Sequence, residues 1–111
     1  SIDLKDSRPE PDLAWLKPGR YTNTRPRADQ VLLLIEVADS SLSGDLTEKA
    51  TLYAEFGVAE YWVVDVQGKC IHVFANPCEN GFTHRRTAAK SETLSPACQP
   101  DAVLNLAELF I

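Results

Sequence analysis

The stretch that decides the fold runs Val31-Leu-Leu-Leu-Ile-Glu36-Val-Ala-Asp-Ser-Ser-Leu42 and continues through a short polar turn to Asp45 and Lys49. Five consecutive apolar residues predict a strand that is buried on both faces of a sheet. A carboxylate in such a strand costs several kcal/mol of stability unless a cation, a metal or strong donors contact it. We therefore expect Glu36 to have a partner nearby, and the identity of that partner should indicate the function.

Length and composition predict one globular domain spanning residues 1–111. A chain of 111 residues can build one hydrophobic core but not two, and 44% hydrophobic with 24% charged residues is ordinary for such a domain. The net charge of −5 and the pI of about 4.9 argue against a large non-specific nucleic-acid surface, which is normally basic. A local basic patch around a metal site stays compatible with this charge.

The sequence predicts a cytoplasmic protein without a membrane partner. It has no apolar run near the roughly 18 residues of a membrane span, and no export signal at its start. Cys70, Cys78 and Cys98 are odd in number and lack C-x-x-C spacing, which indicates reduced thiols. Since the usual ligand spacings are absent, no zinc site is expected from cysteines 70 and 78 with His72 and His84.

Periodicity predicts five strands, one main helix and a short C-terminal helix. The strands are expected at residues 11–16, 30–38, 60–66, 70–74 and 82–88, and the helices at residues 45–56 and 104–110. Residues 90–100 are expected to be a loop. A strand–helix–strand step gives a parallel pair, whereas the flanking hairpins are antiparallel. The predicted fold is therefore a mixed sheet with a helix on one face, α/β or α+β by convention.

A cluster of charged side chains is expected at one end of this sheet. Asp12 lies near the start of one strand and Glu36 near the end of another, so their carboxylates can meet if the strands pair. Asp45, Lys49 and Tyr53 follow each other at four-residue intervals and share one helix face. Two carboxylates with substrate phosphate and water are how Mg²⁺ is usually held, and a lysine beside them would stabilise charge or orient a water.

Four motifs in this order resemble a known family. Pro11-Asp12, Ile35-Glu36-Val37, Asp45-x-x-x-Lys49 and Gly57-Val-x-Glu-Tyr-Trp-Val-Val-Asp65 are together similar to the Uma-two family of restriction-endonuclease-like proteins. That family is placed in the PD-(D/E)xK nuclease superfamily. The resemblance extends from about Leu4 to Phe110 and implies a restriction-endonuclease-like fold.

The resemblance also implies an activity and a set of site residues. Asp12 matches the aspartate of the PD motif and Glu36 the (D/E) of the signature, while Ala38 stands where the signature has lysine and Lys49 takes its place. The implied catalytic residues are Asp12, Glu36 and Lys49, with the metal on the two carboxylates and the backbone carbonyl of Val37. The implied reaction is hydrolysis of a DNA phosphodiester with Mg²⁺ or Mn²⁺. Family members usually carry a further part before the PD strand, and we expect this chain to lack it.

Simpler interpretations stand beside these assignments. Glu36 could form a buried ion pair with Lys49 and hold no metal. Asp45 is better explained as a helix N-cap, forming a capping box with the glutamate three residues later, than as an additional site residue. Tyr53 is expected in the core with its hydroxyl reaching the site. Asp65 is expected to cap the turn that follows its strand.

Two other functions stay open on the sequence alone. One is a non-catalytic interaction module that keeps the nuclease fold, which the acidic pI favours. The other is an unrelated hydrolase that uses paired carboxylates as acid and base. DNA is the expected partner, with Arg20, Arg25 and Arg27 either contacting phosphate or lying in a solvated loop. A homodimer is also expected, because the last strands leave an edge and residues 104–111 form an apolar tail.

Overall fold

A computed structural model describes residues 11–20 and 26–111 of the chain. Five strands form a mixed sheet in the order β1-β2-β3-β4-β5, and two short strands form a separate pair, β6-β7. The elements are β1 Leu13–Leu16, a 3₁₀ turn Ala28–Gln30, β2 Val31–Ala38, α1 Leu42–Leu46, α2 Glu48–Glu55, β3 Glu60–Asp65, β4 Cys70–Cys78, β5 Gly81–Ala89, β6 Thr93–Leu94, β7 Leu104–Asn105 and α3 Leu106–Leu109. The predicted α+β fold is confirmed.

The sheet contains one parallel pair, as the strand–helix–strand step predicts. Strands β2 and β3 are parallel and are joined through α1 and α2, whereas β1 pairs with β2, β3 with β4 and β4 with β5 in antiparallel fashion. The carboxyl end of β2 therefore lies beside the carboxyl end of β3, with Ala38 opposite Asp65.

Strand β2 is buried on both faces because each face of the sheet has its own cover. On one face Leu34 packs with Tyr53, Tyr61 and Phe74 beneath α1 and α2. On the other face Leu33 packs in a second cluster with the C-terminal segment that contains α3. The apolar run of β2 is thus shared between two cores.

The main helix differs from the prediction of one continuous helix over residues 45–56. It begins earlier, at Leu42, and bends at Thr47, which separates α1 from α2. The Thr47 hydroxyl donates to the Ser43 carbonyl oxygen at 2.7 Å, a contact that bends helices by competing with the backbone. The predicted N-cap role of Asp45 is wrong, since Asp45 lies inside α1. The predicted end at Gly57 is correct, with a φ of 81°.

The C-terminal part also departs from the prediction. The segment expected to be a loop contains β6, and the segment expected to be a helix from residue 104 begins as β7. Helix α3 starts only at Leu106, after Asn105, whose side-chain oxygen accepts from the Ala107 amide at 3.1 Å. Asn105 is therefore the N-cap that ends the strand and starts the helix. Strand β4 continues to Cys78, beyond its expected end at residue 74.

Among the helices within residues 11–20 and 26–111, none is long and apolar enough to cross a membrane.

The burial of β2 predicts that truncating a buried residue of the strand destabilises the protein much more than truncating its exposed residue. Leu34→Ala should lower the free energy of unfolding by about 2–5 kcal/mol, because Leu34 is fully buried and leaves a cavity. Val37→Ala on the same strand should cost less than about 1 kcal/mol, because Val37 is 47% exposed. Urea denaturation measures both, and equal losses would contradict the burial of β2 described above.

Candidate active site

At the end of the β1–β2 pair, Glu36 contacts the backbone of Asp12, and the Asp12 carboxylate contacts the backbone of Val37. The register places Leu13 opposite Ile35, so Asp12, the residue before β1, reaches the carboxyl end of β2. The Val37 amide donates to Asp12 Oδ2 at 2.7 Å, and the Asp12 amide donates to Glu36 Oε1 at 3.2 Å. The antiparallel pairing thus brings the two carboxylates together, as the sequence predicts. Asp12 is exposed, so this side of the site opens to solvent.

The second oxygen of Glu36 is contacted from α2. Lys49 Nζ lies 2.8 Å from Glu36 Oε2, and the Tyr53 hydroxyl donates to the same oxygen at 3.3 Å. Glu36 is only 3% exposed, so these contacts replace water around a buried carboxylate. Lys49 and Tyr53 occur one helical turn apart, which aims both at one point on β2.

Lys49 links Glu36 to a second buried carboxylate. Its Nζ lies 3.2 Å from Asp45 Oδ1, across one turn of the bent helix. Asp45 is 2% exposed and accepts from the Ser41 hydroxyl at 2.9 Å, while its backbone carbonyl accepts from the Tyr61 hydroxyl at 2.8 Å. Asp45 is therefore part of the charged cluster, which corrects the expectation that it only caps the helix.

The pKa values of Lys49 and of both tyrosines are shifted in the directions that keep them protonated. The hydrogen bond to Glu36 raises the pKa of Lys49 and outweighs the lowering caused by burial. Burial raises the pKa of Tyr53 and of Tyr61, and the field of Glu36 raises both further. At neutral pH the site thus contains one ammonium group and two neutral hydroxyl donors.

The structure brings together every side chain that the sequence proposed for the site. Asp12, Glu36, Asp45, Lys49 and Tyr53 form one connected group, and the Val37 amide joins it. The expected ion pair of Glu36 with Lys49 is present.

Sequence reasoning missed two residues of the cluster. Ser41 precedes Asp45 by four residues, a spacing that could have been noticed once the helix start was moved to Leu42. Tyr61 comes from β3, and only the strand pairing shows that its hydroxyl reaches Asp45.

The other candidate residues either make no contact with the charged cluster that the structure records or lie outside the residues that the structure describes. Asp65 caps the turn after β3 as predicted, since its Oδ1 accepts from the Gly68 amide at 2.8 Å. Arg27 pairs with Asp29 at 3.2 Å in an exposed position, and Arg20 is exposed. Arg25, and with it part of the predicted loop, lies outside the described residues.

One comparison with known proteins gives a match. The model of the Uma2 (Uma-two) family, described as "Putative restriction endonuclease", matches residues 1–107 of the sequence. A search among curated proteins finds no match. The matched span covers all the residues of the charged cluster.

The raised pKa of Tyr53 predicts a loss of stability at alkaline pH. Below about pH 10 the hydroxyl is neutral in both states, but above it the unfolded chain loses a proton that the folded chain keeps. The free energy of unfolding should therefore fall with rising pH, each buried tyrosine contributing up to about 1.4 kcal/mol per pH unit. Tyr53→Phe should make this fall shallower in urea denaturation between about pH 9 and 11.

The exposed Thr51 on the same helix provides the control, and Thr51→Ala should keep the slope of the unmodified protein. A Tyr53→Phe variant with the full alkaline slope would show that Tyr53 does not stay neutral in the folded state.

Proposed function

Because this chain belongs to the Uma2 family, we propose that it is a Mg²⁺-dependent endonuclease that hydrolyses DNA phosphodiester bonds. The proposed PD-(D/E)xK-type site consists of Asp12, Glu36 and Lys49, with Asp45 and Tyr53 in support. The observation that carries the proposal is that Glu36 accepts from the Asp12 amide and from Lys49 and Tyr53 of α2. A buried ion pair alone would not require the Asp12 carboxylate, which accepts from the Val37 amide beside Glu36.

The formal charge of the cluster supports binding of a dication. Asp12, Glu36 and Asp45 contribute three carboxylates, whereas Lys49 is the cation that contacts two of them. Three negative charges and one positive charge leave a formal excess of −2 in a partly buried site. A divalent cation would neutralise this excess, and carboxylate oxygens are the ligands that Mg²⁺ prefers.

The donor atoms also fit a small, hard cation. Asp12 Oδ2 and Glu36 Oε2 already accept hydrogen bonds from the protein, which leaves Asp12 Oδ1 and the further capacity of Glu36 Oε1 for a metal. The Val37 amide points toward β1. Since the amide and the carbonyl of a strand residue point in the same direction, the Val37 carbonyl also points toward β1. Continuing the register would put Pro11 opposite Val37, and proline has no N–H to give to that carbonyl. Asp12, Glu36 and the Val37 carbonyl are therefore the residues that would hold Mg²⁺ or Mn²⁺.

Each side chain has a defined part in the proposed reaction. A bound Mg²⁺ supplies Lewis acidity and a water that loses its proton more easily. Lys49, protonated and 43% exposed, reaches the solvent side of the site, where it stabilises negative charge on phosphoryl oxygens or orients the water. It is not a general base at neutral pH. The Tyr53 hydroxyl and Lys49 together fix the rotamer of Glu36.

The acidic net charge requires that contacts with DNA be local. The exposed Asp12 side of the site would admit the scissile phosphate, and Arg20 and Arg27 lie in the chain segment between β1 and β2. That connection lies at the end of the β1–β2 pair away from Asp12, so these arginines are candidates only for contacts with phosphates distant from the scissile one, which give affinity without reading the sequence. A protein that relies on few such contacts should bind DNA with a shallow dependence on salt.

The proposed metal site predicts the effect of removing one carboxylate. Glu36→Gln and Asp12→Asn should each abolish the heat of Mg²⁺ binding in calorimetry and lower nicking of plasmid DNA at least about a hundredfold. Asp12 is exposed, so its variant is not expected to disturb folding. The exposed Asp101 supplies a matched control, and Asp101→Asn should leave both measurements unchanged. Full metal binding in Glu36→Gln would contradict the assignment.

A lysine variant distinguishes the nuclease from the two other functions. Lys49→Met should keep Mg²⁺ binding but lose cleavage at least about a hundredfold, because its role is in the transition state. Unchanged turnover would instead favour a hydrolase that uses the two carboxylates as acid and base. If the folded, unmodified protein neither binds Mg²⁺ nor nicks DNA, the chain is an interaction module. The three hydrogen bonds that already satisfy Glu36 are the observation in favour of that second function.

The homodimer expected from the sequence has a candidate surface next to the site. An apolar groove of about 410 Å³ crosses the sheet face opposite α2 and is lined by Leu13, Val37, Val66 and Leu109 among others. Leu13 and Val37 flank Asp12 in the β1–β2 pair. A second copy seated on this groove would cover apolar side chains that one chain leaves exposed, such as Val37 and Leu109, while both sites stay open on the α2 faces. We propose this face, rather than the polar β5 edge, as the dimer interface.

The oligomeric state tests this surface. Analytical ultracentrifugation should show a dimer of the unmodified protein and a monomer of Leu109→Glu, because the new charge would be buried between apolar surfaces. Leu109 is 46% exposed, so the substitution should leave the fold intact. Asn80→Glu in the β4–β5 turn adds the same charge elsewhere and should stay dimeric. A monomeric unmodified protein at all concentrations would refute the dimer.

A further inference from the structure

Three side chains of different chemistry meet at the turn between β3 and β4. Asp65 is the last residue of β3 and lies directly opposite Cys70, the first residue of β4. His72 follows Cys70 by two residues and therefore points to the same face of the sheet. The side chains of Asp65 and His72 are only 12% and 13% exposed.

The three potential ligand atoms surround a common point. Cys70 Sγ lies 3.7 Å from His72 Nε2 and 3.9 Å from Asp65 Oδ2, and His72 Nε2 lies 3.9 Å from the same Oδ2. The nitrogen-to-oxygen distance is too long for a hydrogen bond. A tetrahedral Zn²⁺ with bonds of about 2.3 Å to sulfur and about 2.0 Å to nitrogen or oxygen holds such atoms about 3.3–3.6 Å apart. Movements of a few tenths of an ångström would therefore complete the coordination.

Outer contacts fix two of these side chains in place. Asp65 Oδ1 accepts from the Gly68 amide at 2.8 Å, and a side chain at Gly68 would collide with Oδ2. His72 Nδ1 lies 3.2 Å from the Thr87 hydroxyl oxygen. When Nδ1–H donates to Thr87, Nε2 presents its lone pair to Asp65 and Cys70. Such an outer partner accompanies nearly every histidine that binds a metal.

We propose that Asp65 Oδ2, Cys70 Sγ and His72 Nε2 form a binding site for a transition-metal dication of the Zn²⁺ class. A thiolate and an imidazole select Zn²⁺ over Mg²⁺, so the site differs in chemistry from the carboxylate cluster at Glu36. Three protein ligands leave a fourth position for water or an exogenous ligand. Since these residues are not part of the proposed nuclease site, the inference does not depend on that function.

The spacing argument failed to find this site because it considered only cysteines and histidines. Cys78 and His84 are not members of the group, and the third ligand is an aspartate that the strand pairing supplies. The bound metal would tie β3 to β4 across their turn, with Thr87 extending the connection to β5. It should therefore raise the thermal stability of the protein.

Titration of the purified protein with Zn²⁺ alone and with Co²⁺ alone tests the proposal. Calorimetry should show one saturable site, and Zn²⁺ in large excess over its dissociation constant should raise Tm by about 5 °C or more. Co²⁺ should produce a thiolate-to-metal charge-transfer band. Cys70→Ser should remove the band and weaken Zn²⁺ binding at least about a hundredfold. Thr87→Val, at an exposed position, should weaken it about tenfold without removing a ligand.

Three matched variants separate this site from other sources of binding. Cys78→Ser and Cys98→Ser each remove another thiol and should keep the band, and Glu36→Gln should keep it while losing Mg²⁺. A band that survives in Cys70→Ser, or that disappears in Cys78→Ser, would overturn the assignment, as would the absence of saturable binding below millimolar Zn²⁺. If the nuclease proposal is wrong, Glu36→Gln would keep full Mg²⁺ binding, and the Zn²⁺ measurements would be unaffected.

Discussion

The negative charge of Glu36, held inside the apolar strand β2, is the constraint on which the rest of the structure depends. At 3% exposure the carboxylate cannot be solvated by water, so the protein supplies the donors. They come from two directions: the Asp12 amide at the end of β1, and Lys49 and Tyr53 on α2. The contacts that satisfy the charge therefore also fix the register of β1 and the position of α2 on the sheet. Replacing Glu36 by an apolar residue would remove these polar contacts and leave only the β1–β2 ladder and the apolar packing of α2 to hold the two elements.

Because of the bend at Thr47, the residues of the charged cluster come from two helical segments, α1 and α2. The first segment, α1, carries Asp45 to β3, where its carbonyl accepts from Tyr61, while α2 lies over β4 and β5. Lys49 stands just after the bend and contacts carboxylates on both sides of it. A straight helix could satisfy the four-residue spacing equally well, but the bend allows α1 and α2 to pack on different strands. The charged cluster thus forms where the two helical segments meet the parallel pair.

Sequence patterns predicted those parts of the structure that local rules determine. The apolar run gives β2, the four-residue spacing places Lys49 and Tyr53 on one face, and Gly57 ends the helix. The break at Thr47 was missed because it depends on a side-chain bond to a carbonyl four residues earlier. Strands β6 and β7 were missed because two-residue strands have no periodicity and exist only through their pairing. The participation of Asp65 in a group with a cysteine and a histidine is likewise visible only in the register of β3 and β4.

The two proposed metal sites occupy neighbouring positions for a structural reason. Glu36 lies opposite Val63, and Asp65 follows two residues later on the same face of the sheet. Standard strand spacings put the backbones of Glu36 and Asp65 about 8 Å apart. Both lie near the carboxyl ends of the two parallel strands, the end at which ligands commonly bind in such sheets. Oxygen donors dominate at β2, whereas sulfur and nitrogen join one carboxylate at β3 and β4. Donor chemistry, and not distance, would therefore decide which ion each site takes, since hard and soft ligands select different cations.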